Sequence, residues 1–333
     1  MKQTLKTALC QLIYYSGILS LYLWYWRRSG KPFPCVIINY HSFVRDPDVS
    51  LDPHPTVTQE ILRFKKQVAF LKKYFHLITL DELSRAISEG TVYHQPTAAI
   101  TVDDGYKDNF QLLFPVLKEN NIKATIFLNS GLINTDKRLW FRDLELHIKR
   151  SEKMSVRFNG RDYPLADKKH KREAYLKIVS FLKNIPTVER NNRLEGLYQK
   201  LGARTGSERD MMTWQEVKEM AAWGVCFGAH TMTHPIVTQV PVDEAKDEIR
   251  LSKDTIEETL GIAVRHFAFP NGRPQDFNDE LREYCREIGF ETVASCEYGA
   301  NASDADRMNL KRIGSEEPLG LYAVNVVRAM HVV

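Results

Sequence analysis

An α/β fold with a mainly parallel sheet, nearer a barrel than an open sheet, is what this 333-residue sequence predicts. Three observations carry that expectation. Seven short strand-like runs end in polar or small residues: 35–41 (CVIINYH), 76–80 (HLITL), 98–104 (AAITVDD), 123–129 (KATIFLN), 225–230 (VCFGAH), 265–270 (RHFAFP) and 290–295 (FETVAS). Helical patterns lie between them. The composition, 43% hydrophobic and 26% charged, is that of a globular chain with a large core. Strands alternating with helices require right-handed crossovers between parallel neighbours. Such sheets collect functional groups at the carboxyl ends of their strands, where the polar run-ends fall.

Residues 8–26 carry no charge and precede Arg27 and Arg28. At ~1.5 Å rise per residue they just reach across a bilayer. Gln11, Ser16, Gly17, Ser20 and six Tyr/Trp make the run only moderately apolar, and such aromatics favour the membrane interface. A span, an interfacial helix and a buried helix all fit. Lys2 and Lys6 on one side and Arg27, Arg28 and Lys31 on the other give no orientation, and no small-residue cleavage site follows. Residues 1–34 are expected as a membrane-associating helix, on either side of a bacterial envelope membrane. Residues 35–333 are expected as the barrel.

In 58–75 the apolar positions Ile61, Phe64, Val68, Leu71 and Phe75 share one helical face. Residues 131–212 break the alternation: Asn159-Gly160 separates two short alternating runs, a hairpin signal, and 166–202 is charged and helix-like. This reads as an insertion on the barrel. Thr213 with Glu216 starts a capped helix that Gly224 stops. Ala245, Ile249, Ser252, Ile256 and Leu260 line another, closed by Gly261.

The net charge of +4 is unevenly placed. Residues 1–34 hold five Lys/Arg and no acid, and 131–212 hold 19 Lys/Arg against 11 Asp/Glu, leaving the rest net negative. The basic parts suit a negatively charged neighbour, or are simply a solvated face; nothing calls for nucleic acid. Five cysteines (10, 35, 226, 285, 296), an odd count without a CxxC, argue against a disulfide framework or zinc finger and read as buried thiols.

The chemistry concentrates at three strand ends. Asp103-Asp104-Gly105 puts two carboxylates where the chain turns. Side by side they repel, and one takes a proton unless a cation sits nearby. Turns are also rich in Asp and Gly, so the pair alone decides little. His230 and His234, four apart in GAHTMTHP, have a spacing used by many zinc sites. One carboxylate plus two imidazoles leaves open positions, the mark of a catalytic metal, and frees the second carboxylate to act as base. Pro270-Asn271-Gly272 ends a strand in a tight loop that either walls a pocket or is an ordinary turn.

These motifs resemble those of the polysaccharide deacetylases (NodB-homology, carbohydrate esterase family 4), in order over roughly residues 35–315. TVDDGYKDN is similar to TFDDG, HTMTHP to H-[ST]-x-x-H-P, and FAFPNG to the FAYPYG form of the third motif. The resemblance implies a distorted (β/α)7 barrel with a helical and hairpin insertion, and metal-dependent removal of N-acetyl groups from amino sugars. It implies Asp103 as general base, Asp104, His230 and His234 as ligands of a divalent metal such as Zn²⁺, and Pro270 and Asn271 at the substrate. Two features depart from the family. Ala268 stands where an Arg steadies the catalytic aspartate, leaving Arg312 of LKRIG as the candidate cation or a further substrate contact. The late Leu-x-His that supplies the acid is absent; in a permuted branch a Tyr-His does so, and His41 of VIINYHSF matches it.

A protonated His41 would serve the departing amine, because an amide is a poor leaving group. The expected substrate is an N-acetylhexosamine in a cell-surface polysaccharide or its lipid-linked precursor. Other readings are a two-His, one-carboxylate iron oxygenase, which leaves the second aspartate unexplained, a hydrolase of another acyl ester or cyclic amide, and a non-catalytic sugar binder.

Overall fold

The computed structural model describes residues 2–203, 206 and 208–333. Its strands are β1 (Cys35–Tyr40), β2 (Ser42–Val44), β3 (Thr58–Glu60), β4 (His76–Leu77), β5 (Thr97–Val102), β6 (Thr125–Leu128), β7 (Ser155–Phe158), β8 (Arg161–Pro164), β9 (Cys226–Ala229), β10 (His266–Ala268), β11 (Thr292–Ala294) and β12 (Ile313–Gly314). The helices are α1 (Lys2–Tyr15), α2 (Ile18–Arg28), α3 (Ile61–Tyr74), α4 (Leu80–Glu89), α5 (Phe114–Asn120), α6 (Trp140–Arg150), α7 (Lys168–Leu182), α8 (Thr187–Leu201), α9 (Trp214–Trp223), α10 (Val242–Leu260), α11 (Asp279–Glu287) and α12 (Leu319–Ala329). Among the described residues, a parallel sheet runs β11-β10-β9-β6-β5-β1-β12, with β4 beside β5. Leu310 bridges Ala294 of β11, while Ile313 and Gly314 pair with Ile38 and Asn39 of β1. One short stretch, 310–314, thus touches both ends of the sheet and curls it into a distorted barrel.

Strand alternation then sorts the side chains. Val36, Ile38, Tyr40, Ala98, Ile100, Val102 and Ile126 face the surrounding helices. Cys35, Ile37, Ala99, Phe127, Ala268, Ala294 and Leu310 face inward, mostly small because the interior is narrow. Gly228 belongs to that inner layer: a Cβ there would lie 2.6 Å from the Phe127 ring and 2.7 Å from the His266 carbonyl. The same alternation carries Asn39, Thr101 and Asp103 into the upper interior, all three buried.

Several expected boundaries move. Of 76–80 only His76 and Leu77 are strand, because Thr79 and Glu82 form a capping box that starts α4 at Leu80. Residues 58–60 are strand β3, and the helix begins at Ile61. The Thr213 cap, the left-handed Gly224 and the left-handed Gly261 stand where the sequence places them. So does the hairpin turn, with Asn159 and Gly160 both at positive φ between β7 and β8.

The insertion has its own apolar cluster, in which Leu144, Ile148, Val156, Phe158, Ile178, Leu182, Leu194 and Leu197 are buried together. Leu51, from the loop after β2, joins it and ties the insertion to the barrel. The N-terminal segment is two helices rather than one. The chain breaks at Gly17, whose φ of 81° is left-handed, and no helix among the described residues is long and apolar enough to cross a membrane. All five thiols are free; Cys10, Cys35 and Cys285 are buried, Cys226 is half-buried, and Cys296, after β11, is exposed, contrary to expectation.

Candidate active site

The polar layer that closes the barrel interior is built around Arg312. Its Nη1 donates to Asp103 Oδ1 at 2.7 Å and to Asn39 Oδ1 at 3.0 Å, and its Nε donates to the Ser295 carbonyl at 2.8 Å. Asn39 Nδ2 donates to the other Asp103 oxygen at 2.9 Å. Arg312 is 2% exposed, so these bonds are made out of water, where a charge pair needs such satisfaction. Burial by itself would raise the Asp103 carboxyl. The Arg312 guanidinium outweighs burial and holds it well below the usual carboxylate range. Arg312 comes from β12's approach, not from the strand carrying Ala268, yet its cation reaches the same carboxylate. The expectation that it contacts substrate meets a buried side chain whose donors are already engaged.

Asp104 leaves the strand. Its φ of 79° and the same φ at Gly105 turn the chain sharply, and a Cβ at Gly105 would meet Leu128 Cδ2 at 2.7 Å. The turn swings the Asp104 carboxylate towards His230 and His234. The Asp104 Oδ1 lies 3.6 Å from His230 Nε2 and 3.4 Å from His234 Nε2. The two imidazoles follow β9. His234 sits at φ 63° in a loop pinned by Thr233, whose backbone N–H and hydroxyl donate to Glu248 at 2.8 and 2.7 Å. Burial, partly offset by the nearby aspartates, lowers both imidazoles, His234 to about 3, so both are neutral.

The proton inventory of this group is informative. His230 Nδ1 lies 2.7 Å from the Ala268 carbonyl, an acceptor only, so Nδ1 carries the hydrogen and Nε2 presents a lone pair. That lone pair faces a buried carboxylate whose two oxygens have no hydrogen-bond partner. Acceptors pointing at one another in a buried site require a cation between them. The donor set of two imidazoles and one carboxylate, with ligand atoms mutually within 4.8 Å, fits a divalent metal. The carbonyl behind His230 is the outer partner that metal-bound imidazoles normally have.

His41 stands on the other side of Asp103. The β1–β5 pairing continues past the strands, with the Asp103 N–H donating to the Tyr40 carbonyl at 2.9 Å, and this brings the next residue to the same rim. His41 Nδ1 is 2.9 Å from the Thr56 carbonyl, which leaves Nε2 facing Asp103 Oδ2 at 3.8 Å. Pro270 is buried and Asn271 half-buried in the loop after β10. Asn271 Oδ1 accepts from Lys183 Nζ at 3.2 Å, and its amide donates to Asp276. The structure therefore brings Asp103, Asp104, His230, His234 and His41 to one rim, with the Asn271 loop tied to the insertion through Lys183.

Sequence reasoning missed several residues here. Asn39 and Thr101 are visible only as polar breaks in apolar strands. Phe141 of α6, against the His234 ring at 5.7 Å, and Lys183, at the end of α7, make the insertion part of the rim. Asp108 lies within the quoted motif; burial pushes its carboxyl up to about 7, against donors from Ser42 and Phe43 at 2.6 and 2.9 Å. A second group, Asp81, Cys226 and His266, clusters at the opposite, strand-start end. There His266 already bonds Thr292 and Asp81, and Arg265 pairs with Asp81, so a structural polar network accounts for it.

Residues 91–293 match the family described as polysaccharide deacetylase. YxkH of Bacillus subtilis (strain 168), whose name places it among polysaccharide deacetylases, is 20% identical over 293 residues, covering 86% of this chain and 74% of its own length. The Streptococcus pyogenes deacetylase PplD, solved in complex with acetate, superposes with a TM-score of 0.60 at 18% identity over 90% of this chain and 99% of that one. IcaB from Ammonifex degensii gives 0.57 at 17% identity over 89% and 97%. A de-N-acetylase from Aggregatibacter actinomycetemcomitans gives 0.54 at 16% identity over 87% and 99%. At these identities the superpositions establish the shared fold.

Proposed function

This chain belongs to the polysaccharide deacetylase family and is a deacetylase-type hydrolase, and from that premise we propose that it is a metal-dependent de-N-acetylase of amino sugars. The substrate we assign is an N-acetylhexosamine in a cell-surface polysaccharide or its lipid-linked precursor. The observation that carries the reading is the buried Asp104 carboxylate, without hydrogen-bond donors, facing a lone pair of His230. One fold relative, the Aggregatibacter actinomycetemcomitans protein, is a de-N-acetylase, which supports the choice of bond.

Asp104, His230 and His234 would hold the metal, Zn²⁺ by the character of its N and O donors. When bound, it supplies a water acidified to a pKa of ~7 and a Lewis acid for the acetyl carbonyl. Asp103 is the general base. Its carboxylate is kept ionised by Arg312 and oriented by Asn39, and it receives the proton of the attacking water. His41, held through Nδ1 by the Thr56 carbonyl, presents Nε2 to the rim and as imidazolium delivers a proton to the departing amine nitrogen. The Pro270–Gly272 loop, Lys183 and Phe141 border the substrate and confine the sugar.

The test is mass spectrometry of N-acetylated oligosaccharides incubated with wild type and with Asp103→Asn. Wild type releases acetate and leaves a free amine, and the variant is slower by about 10²–10⁴-fold. Release of acetate without a new amine would move the activity to esters, and an oxygen requirement would move it to oxygenase chemistry.

A further inference from the structure

Among the described residues, exposed large apolar side chains concentrate on the outer face of α1 and α2. Nine of the 21 exposed large apolar side chains among the described residues fall within residues 5–25. Leu5, Leu9, Leu12, Ile18, Leu21 and Tyr25 recur at helical spacings, and each exposes more than half its surface. A soluble surface rarely keeps so concentrated an apolar face without a use for it.

The inner face of the same helices is firmly seated. Cys10, Leu19 and Leu23 are buried, and Trp26 stacks between Phe33 and His331 at 4.6 and 4.7 Å. Gln11 Oε1 accepts the Gly320 N–H at 2.9 Å, Ser20 Oγ lies 2.7 Å from the Tyr74 hydroxyl, and Arg27 donates to the Tyr74 carbonyl at 3.1 Å. With 14 and 11 residues separated by the break at Gly17, the helices are about 21 and 16 Å long, short of the ~30 Å hydrocarbon core. A span would require both to leave these contacts and fuse through a left-handed glycine.

Charge identifies the occupant. Lys6, Arg27, Arg28 and Lys31 flank the apolar face, Lys66 and Lys73 of the adjoining α3 are exposed, and no carboxylate precedes Asp46. A second copy docked by the same face would set cations against cations. An anionic bilayer complements the rim and accepts the Leu, Tyr and Trp24 side chains at headgroup level. We infer that the α1–α2 flank docks flat on an anionic lipid bilayer as an interfacial anchor. The segment runs from Gln11, beside the α12 start next to the barrel mouth, to Trp26, beside Phe33 at the strand-start end. Docked this way, the mouth opens along the bilayer surface, within reach of a lipid-linked glycan. The docking itself is independent of the reaction.

The test is co-sedimentation of the full chain with vesicles of phosphatidylcholine alone and of phosphatidylcholine with an equal part of phosphatidylglycerol, with no glycan present. Binding is expected to the mixed vesicles, to weaken with salt, and to be extracted by alkaline carbonate. Arg28→Gln and Lys31→Gln each lower the partition coefficient about five-fold, and Leu9→Glu with Leu21→Glu lowers it by more than about ten-fold. Melting temperatures report that each variant remains folded. Brominated lipid quenches wild-type tryptophan fluorescence, and Trp24→Phe loses most of that quenching. Absence of vesicle binding, a dimer by light scattering that Leu9→Glu abolishes while vesicles are ignored, or resistance to carbonate extraction would each overturn the inference.

Discussion

Replacing Arg312 with methionine is the sharpest test of how Asp103 is kept charged. The change removes one buried cation whose Nη1 lies 2.7 Å from the carboxylate, and leaves Asp103 with Asn39 as its remaining close donor. Breaking a buried pair from one side costs about 3–5 kcal/mol, because the orphaned charge stays behind. For a chain of 333 residues that is a fall in melting temperature of roughly 4–7 °C. The pH dependence follows from the direction of the shift. In wild type the carboxyl is depressed, so the pair's contribution is complete above the unfolded value of about 3.9 and fades as pH falls below it. In Arg312→Met the uncompensated burial raises the carboxyl, so destabilisation grows as pH rises above about 4 and shrinks in acid. The acidic limb of kcat/KM for acetate release moves upward with it. Asp103→Asn/Arg312→Met removes both charges and should return stability to within about 1–2 kcal/mol of wild type, with activity still about 10²–10⁴-fold down. Thermal melts from acid to neutral pH with a double-mutant cycle give the answer. Additive losses, or an Arg312→Met variant within about 1 kcal/mol of wild type at neutral pH, would show that the pair is not coupled as described.

Two further outcomes are expected. Asp104→Asn should cut zinc affinity by at least about 100-fold, read by metal content after dialysis. The metal-free protein should melt no lower than wild type, because the carboxylate it loses has no donors; a large drop in the metal-free melt would mean that the aspartate is structural. His41→Gln should slow amide deacetylation by about 10²–10⁴-fold while sparing p-nitrophenyl acetate, whose leaving group departs without a proton; equal losses on both would place His41 elsewhere in the mechanism.

The strands were legible because their apolar runs end abruptly, and the helices α9 and α10 because a capping threonine and terminal glycines bound them. The metal-type residues were legible because two aspartates and an H-x3-H are unusual at strand ends. Where reading failed, the missing information was non-local. HLITL has strand composition, but the bonds between Thr79 and Glu82 claim its end for a helix. The N-terminal run looks continuous by hydropathy, yet Gly17 breaks it and α3 and α12 provide a surface on which two short helices can bury one face. Phe141 and Lys183 carry no signal in a basic insertion, since only docking of that insertion brings them to His234 and Asn271.

By itself, the sequence determined the alternating α/β architecture and the identity of the groups able to bind a metal, because periodicity and side-chain chemistry are local properties. The tertiary structure decided which cation serves Asp103, which end of the chain brings His41 to the rim, and which face of α1–α2 is left bare. Those depend on where a curled sheet brings residues 39, 103 and 312 together, and sequence separations of 64 and 209 carry no record of that meeting.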